Sequence, residues 1–200
     1  MKTAKAALTA KEIALTAIFA ALTAVLAQIA VPLPFTPVPL SFGLVAVYIS
    51  GILLKPVQAV FSQVCYLALG AVGVPVFGNF KGGIGALFGP TGGYLIVYPV
   101  MALIVAAALN SRSRLNAGRG KRPPFLIAAA AMCAAHIVLY IGGTAWLSVT
   151  TNVSFYAALG AAVVPFIPLD AVKIAFCVIA IVPFRSRLMA SGMLMPGDGE

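Results

Sequence analysis

The sequence predicts an all-α integral membrane protein of six transmembrane helices, with the N- and C-termini in the cytoplasm. The 200-residue chain is 62% hydrophobic and only 8% charged, whereas soluble domains carry about a quarter charged residues. Six apolar segments approach or reach the length that crosses a bilayer. Basic residues gather between these segments on one side. We therefore expect residues 1–200 to form a single six-helix domain.

The first three predicted spans lie in the N-terminal part of the chain. Residues 13–31 follow a basic segment that resembles the start of a signal peptide. Their apolar run of about 19 residues fits a retained span better than a cleaved leader. The second and third spans, 39–54 and 56–72, are shorter and are separated by Lys55.

The last three predicted spans follow a loop at 73–91, which we place on the outer side. The fourth span, 92–109, and the fifth, 125–147, flank the basic segment SRSRLNAGRGKR. The sixth, 168–184, begins with a proline, which suits the first turn of a helix. A shorter apolar stretch at 155–164 precedes the sixth span.

The orientation follows from the basic residues. With the N-terminus in the cytoplasm, 11 of the 13 lysines and arginines lie inside, the exceptions being Lys81 and Lys173. This agreement with the positive-inside rule supports both the six spans and a multi-pass location in the cytoplasmic membrane, in contact with lipid. The net charge of +9 does not indicate nucleic-acid binding, because the basic residues are scattered in short loops.

The segments on the outer side have unusual composition. VPLPFTPVP after the first span contains four prolines in nine residues, which predicts a stiff, non-helical segment. The 73–91 loop, GVPVFGNFKGGIGALFGPT, is rich in glycine and aromatic residues, and we expect it to fold back onto the helices. These features predict a capture site that opens outward.

Asp170 and Lys173 are the strongest candidates for a functional site. Asp170 is the only acid within the hydrophobic body, since Glu12, Asp198 and Glu200 lie near the ends. Three residues apart on a helix, Asp170 and Lys173 share one face. A charged side chain within a span costs about 2.5–3.5 kcal/mol, so such residues usually face an interior cavity and carry function. The alternative is a structural ion pair that clamps two helices.

Further polar and aromatic residues fit a small ligand with both donors and acceptors. Asp170 accepts, Lys173 donates, and Asn79 can do both. An apolar pocket with few polar groups is the usual form of a small-molecule site. Trp146 has the alternative role of an interfacial aromatic. The aromatic residues that could form the pocket wall are Phe77, Phe80, Tyr94, Tyr98, Tyr140 and Trp146.

Catalysis, metal binding and nucleotide binding are poorly supported. His136 is the only histidine, and we expect it to bond to a neighbouring helix. One histidine and one intramembrane acid provide no metal triad, and we predict no catalytic residue. GPTGG lacks the Gly-Lys-Ser/Thr ending of a phosphate loop. Cys65, Cys133 and Cys177 lie in apolar runs, and we expect them to be small core residues.

Small residues recur at helical spacing along the first span and form a face that allows close approach of another helix in lipid. This face could dock a partner protein or pack against the other helices of the chain. Its residues are Ala10, Ala14, Ala17 and Ala21.

Three motifs resemble the BioY family, the biotin-specific substrate-capture (S) components of ECF-type vitamin transporters. They are FTPVP after the first span, GVPVF-NF-GG-GALFGPTGGYL between the third and fourth, and PFIP-D--K at the sixth. The resemblance covers roughly residues 11–184. It implies six helices that bind biotin near the outer face, with a transmembrane coupling protein and a pair of cytoplasmic ATPases as partners. This sequence departs from the family pattern at Leu169, where the family usually has glycine.

The resemblance also implies roles for individual residues. Asn79, Asp170 and Lys173 would contact the ureido ring: Lys173 would donate to the carbonyl, while Asp170 and Asn79 would accept from the N–H groups. We expect Phe80, Tyr94 and Trp146 to pack on the fused ring, and Lys81 to meet the carboxylate. No cofactor is expected. The alternatives are an S component for another vitamin and an intramembrane enzyme that uses Asp170 or His136.

Overall fold

The computed structural model describes residues 9–115 and 124–190, which are mostly helical. The described residues do not include 116–123, which contain the end of the basic segment, or the two chain ends. Asp198 and Glu200, near the C-terminus, therefore lie outside them. The helices are α1 Ala10–Gln28, α2 Gly43–Leu53, α3 Pro56–Ala71, α4 Ile84–Phe88, α5 Gly92–Ile96, α6 Tyr98–Leu115, α7 Pro124–Thr151, α8 Phe155–Ala162, α9 Ile167–Phe176 and α10 Val182–Ala190. Strands β1 Ala30–Leu33 and β2 Thr36–Ser41 form one antiparallel hairpin.

The first helix begins and ends three residues earlier than the predicted span. Thr9 caps it: the Thr9 hydroxyl accepts from the Glu12 N–H at 3.3 Å, and the Glu12 carboxylate accepts from the Thr9 N–H at 2.9 Å. This reciprocal pairing satisfies two backbone donors at the helix start. The helix ends at Gln28 because the following segment pairs as the hairpin. The prediction that the proline-rich segment is non-helical is confirmed, and its strands are an exception to an all-α fold.

Four helical stretches are long and apolar enough to cross a membrane within the described residues. They are Ala10–Gln28, Gly92–Ser111, Phe125–Thr151 and Ile167–Met189. Helices α2 and α3 are apolar but shorter, with 11 and 16 residues. The second predicted span was wrong at its start, since its first residues belong to β2. The count of six spans stays a prediction.

Two of the long stretches contain breaks that the sequence analysis did not predict. Helix α5 ends at Ile96 and α6 begins at Tyr98, directly before Pro99, which has no N–H to donate. Between α9 and α10, residues Cys177–Ile181 form a π-helical turn in which the Val182 N–H donates to the Cys177 carbonyl. Such single turns often absorb an extra residue within a helix.

The interior is formed by large apolar side chains from several helices, including Tyr48, Tyr66, Met101 and Met132. Many apolar side chains also face outward, as expected for a chain in lipid. Cys65 and Cys133 are among the exposed residues, and only Cys177 of the three is buried. The expectation of a core position was therefore wrong for the first two, because an apolar run in a membrane protein has a lipid-facing side as well.

The 73–91 loop folds back onto the helices, as predicted. Phe77 is buried, and its ring contacts Tyr66 edge-on with ring centres 5.5 Å apart. Gly70 makes room for this ring, since a Cβ atom at Gly70 would lie 2.0 Å from Phe77 Cζ. Phe77 is therefore a core residue, and its ring anchors the loop.

Candidate functional site

A cavity lies between the hairpin and helices α7 and α9, with about 420 Å³ of empty space including its open side. Strand β2 and helix α2 form one wall, and the tyrosines of α5–α7 form another. The charged residues of α9 lie at its base. The lining residues are Val38, Pro39, Ser41, Leu44, Tyr94, Tyr98, Leu139, Tyr140, Ala162, Phe166, Asp170 and Lys173.

The predicted proximity of Asp170 and Lys173 is confirmed. Lys173 Nζ lies 2.9 Å from Asp170 Oδ1, and the two residues are only 6% and 4% exposed. Both lie on α9, whose first turn contains Pro168 and Asp170. The local sequence therefore delivers an acceptor and a cation to the cavity on one helical face.

The second oxygen of Asp170 is held by α7. Tyr140 Oη donates to Asp170 Oδ2 at 2.7 Å, and His136 Nε2 lies 2.9 Å from the same atom. His136 Nδ1 is hydrogen-bonded to the Tyr48 hydroxyl of α2. Because a carboxylate only accepts, we assign the proton to Nε2, so that Nδ1 accepts from Tyr48. The expectation that His136 bonds to a neighbouring helix is confirmed, and it bonds to two.

These contacts leave defined bonding capacity for a ligand. Within the described part of the chain, Asp170 Oδ2 accepts two hydrogen bonds, while Oδ1 accepts one bond, from Lys173. Each carboxylate oxygen can accept about two bonds, and an ammonium group has three donors. Oδ1 can therefore accept one ligand N–H, and Lys173 can donate to a ligand carbonyl. The pair can therefore offer an acceptor and a donor to a group that carries both an N–H and a carbonyl.

Three tyrosines form the aromatic side of the cavity. Tyr140 lines it beside Asp170, and Tyr94 lies against Gly143 with its hydroxyl 3.3 Å from Thr144 Oγ1. Tyr98 stacks on the buried Tyr66, with ring centres 6.3 Å apart. All three are wall candidates by sequence, and each of them lies in the lining of the cavity.

Four predicted contact residues are not part of this lining. Asn79, Phe80 and Lys81 belong to an exposed turn after Phe77, and Phe80 is 72% exposed. Trp146 is half-buried and donates from Nε1 to the Gly89 carbonyl at 2.9 Å. Their contact with a ligand stays a prediction.

The exposed turn nevertheless adjoins the cavity wall. A Cβ atom at Gly78 would lie 3.3 Å from the Ala27 carbonyl oxygen and 4.0 Å from Cγ of Pro39, a lining residue. The turn that carries Asn79 therefore packs beside strand β2, next to the cavity.

Several lining residues were missed by the sequence analysis, and most gave no signal. Val38, Leu44, Leu139 and Ala162 cannot be told from other apolar residues of the chain. Tyr48 and His136 lie outside the lining but hold Asp170 from behind. One signal was available: His136 and Tyr140 are four residues apart on α7 and therefore share a face.

The alanine face of α1 is exposed. The buried residues of this helix are Thr16, Phe19, Ala20, Thr23 and Ala27. The face described above, Ala10, Ala14, Ala17 and Ala21, lies outside this set and is open along its length. Packing among residues 9–115 and 124–190 therefore does not cover these alanines.

No group of three or more metal-binding side chains is found among residues 9–115 and 124–190. The site described above consists of one carboxylate, one ammonium group, one imidazole and the surrounding tyrosines. These groups can bind a polar ligand by hydrogen bonds without a metal ion.

Comparison with known proteins gives consistent similarities. The sequence profile of the BioY family matches residues 1–190. The "Probable biotin transporter BioY" of Pyrococcus horikoshii is 38% identical over 133 residues, which are 66% of this chain and 72% of that protein. The "Biotin transporter BioY2" of Lactococcus lactis subsp. cremoris is 32% identical over 129 residues, 64% of this chain and 66% of that protein.

A solved structure is also similar. The crystal structure of the S-component for biotin from an ECF-type ABC transporter superposes with a TM-score of 0.77 at 25% sequence identity. The superposition covers 90% of this chain and 95% of the other.

Proposed function

The chain belongs to the BioY family, and from this premise we propose that it binds biotin and takes it up as the substrate-specific component of an ECF-type transporter. The observation that carries the proposal is the buried Asp170–Lys173 pair at the base of the cavity. The names of the similar proteins and the similar S-component support the same ligand.

The site has the complement of a ureido ring, which carries one carbonyl and two N–H groups. Lys173 donates to the carbonyl, and Asp170 Oδ1 accepts from one N–H. Asn79, in the turn beside the hairpin, accepts from the other. Tyr94, with Phe80 and Trp146, packs on the fused ring, and Lys81 meets the carboxylate tail.

The two alternatives differ in what supports them. An S component for another vitamin would keep the fold and change the polar contacts. An intramembrane enzyme would need a free acid or base, but both ring nitrogens of His136 are engaged, by Tyr48 and Asp170. The geometry therefore favours binding over catalysis.

The test is binding of labelled biotin to the purified protein. We expect saturable binding, displaced by unlabelled biotin and not by thiamine or riboflavin, with the ligand recovered unchanged. Displacement by another vitamin alone would favour the first alternative. Recovery of a chemically altered ligand would favour the enzyme, and absence of saturable binding would refute the proposal.

The proposed partners are a transmembrane coupling protein and a pair of cytoplasmic ATPases. We propose that the exposed face of Ala10, Ala14, Ala17 and Ala21 contacts the coupling protein, because small side chains let helices approach closely in lipid. Its exposure along α1 supports this role.

Ala14→Trp is expected to block assembly with the coupling protein and to leave biotin binding by the solitary chain unchanged. The matched control is Ala130→Trp, which adds the same side chain at an exposed alanine of α7. Co-purification with the coupling protein measures assembly. Equal assembly of the two variants, or loss of biotin binding in the solitary Ala14→Trp protein, would contradict the docking role.

We also propose the six-span topology in the cytoplasmic membrane, with both termini and the basic segment after α6 inside. Single cysteines in a cysteine-free background test it. A cysteine at Gly118, which lies outside the described residues, should resist an impermeant thiol reagent in intact cells and react after lysis. A cysteine at Val74, in the outer loop, should react in intact cells. The reverse pattern would refute the topology.

A further inference from the structure

Gln28, the last residue of α1, forms hydrogen bonds to the chain on both sides of Asn79. Its Nε2 donates to the Val76 carbonyl at 2.9 Å and lies 3.4 Å from the Pro75 carbonyl oxygen. Its Oε1 accepts from the Phe80 N–H at 2.9 Å. One amide side chain thus joins α1 to the chain before the turn and to Phe80 within it, about 50 residues further along.

The turn itself has a backbone that needs support. Phe77 and Lys81 pair through two backbone hydrogen bonds of 2.9 and 3.1 Å. Between them, Asn79 and Phe80 both have left-handed φ angles, of 60° and 57°. Asparagine tolerates this region, but for a bulky residue such as phenylalanine it is unfavourable. Such a conformation persists only when surrounding contacts fix it.

The other contacts hold the two ends of the turn but not the two left-handed residues between them. The ring of Phe77 is fixed in the core, and Gly78 packs against Ala27 and Ala30. Asn79 and Phe80 are exposed. Gln28 Oε1 is the side-chain acceptor that fixes the Phe80 N–H, directly after Asn79. The direction of the Asn79 peptide therefore depends on Gln28.

We propose that Gln28 is a positioning residue for ligand capture, which holds the turn so that Asn79 is set beside the hairpin wall of the cavity. The inference rests on the proposed function, since Asn79 matters only if the chain captures biotin through this turn. The bond from Nε2 to the Ala24 carbonyl, at 3.1 Å, lies within α1 and could be formed by a glutamine at any helix end. The bonds to Val76 and Phe80 have no such local explanation.

The first test does not require a ligand. Gln28→Met keeps an unbranched side chain of similar length and removes the donor and the acceptor. We expect hydrogen exchange of the Phe80 amide to become about ten-fold faster or more, because a hydrogen bond that limits local opening is lost. Val25→Met, at an exposed position of the same helix, is the control and should leave this exchange unchanged. Unchanged exchange in Gln28→Met would overturn the inference.

The second test measures coupling to Asn79. Gln28→Met should weaken biotin binding about ten-fold, but should cause no further loss in an Asn79→Ala background, since the group it positions is then absent. An equal loss in both backgrounds would show a merely structural role and overturn the inference. Failure of the wild-type chain to bind biotin would instead refute the proposed function, and the exchange experiment would still report on the turn.

Discussion

Lys173→Met should weaken biotin binding by roughly two to four orders of magnitude while the protein still folds. The Asp170–Lys173 pair is almost wholly buried, and α7 holds the carboxylate in place by two further hydrogen bonds. Removing one partner leaves the other charge buried and uncompensated, which typically costs about 3–5 kcal/mol. Asp170→Asn should have an effect of similar size. Titration of labelled biotin and thermal unfolding of each variant measure affinity and stability separately.

A second buried cation provides the control. Arg185 of α10 is 8% exposed, donates to Asn110 Oδ1 at 3.1 Å and does not line the cavity. Arg185→Met should therefore lower stability and leave biotin affinity near that of the wild type. If the Asp170–Lys173 pair were only a clamp between helices, Lys173→Met would behave in the same way. Near-native affinity in well-folded Lys173→Met would refute the site assignment.

Ligand analogues test the same contact from the other side. A desthio analogue, which keeps the ureido ring, should still bind. An analogue in which the ureido carbonyl is replaced should bind the wild type much more weakly than biotin does. In Lys173→Met the same replacement should reduce affinity much less, because the Lys173 ammonium group that donates to the carbonyl is already absent.

Gly92→Ala should destabilise the protein by about 3 kcal/mol and lower its melting temperature by roughly 6–12 °C. Gly92 begins α5, and a Cβ atom there would lie 1.6 Å from the Leu87 carbonyl oxygen and 2.4 Å from its carbonyl carbon. Both atoms are backbone, so no side-chain rotation relieves the clash. Because α5 also carries Tyr94 to the cavity, biotin affinity should fall as well.

Gly85→Ala is the matched control, since a Cβ atom at Gly85 meets nothing within 4 Å. It lies in α4, where alanine is favoured over glycine by up to about 1 kcal/mol. We expect neutral or slightly raised stability in thermal unfolding of the purified protein. A similar loss in both variants would show that the α4–α5 contact is not the cause.

The fold could be predicted where the sequence states a local preference. The proline-rich segment excluded a helix, and the span at 56–72 matches α3 closely. The hairpin could not be predicted, because residues 30–33 and 36–41 do not show the alternation of apolar and polar residues that indicates a strand. Their pairing depends instead on how the two segments meet in the folded chain. The π-helical turn at Cys177–Ile181 was missed for a similar reason: an apolar run does not show where its hydrogen bonds shift by one residue.

The site was predictable at its charged residues and much less so elsewhere. Asp170 and Lys173 stood out because charges are rare and costly within a span. Tyr48 has no such signature, and its contact with His136 joins residues 88 positions apart. In the sequence, Gln28 cannot be told from an ordinary residue at a helix end, although its side chain bonds to the distant turn. Long-range partners of this kind are set by packing, which a single sequence does not display.

Burial of the Asp170–Lys173 pair also has a consequence for the dependence of binding on ionic strength. The two charges are opposite, 2.9 Å apart and shielded from water. Dissolved salt screens exposed charges over about 8 Å at physiological ionic strength, but screens a buried pair much less. The pair also has little net field at long range, so it does little to steer a charged ligand towards the membrane. The affinity that the Asp170–Lys173 pair contributes to ligand binding should therefore change little between low and high salt concentration.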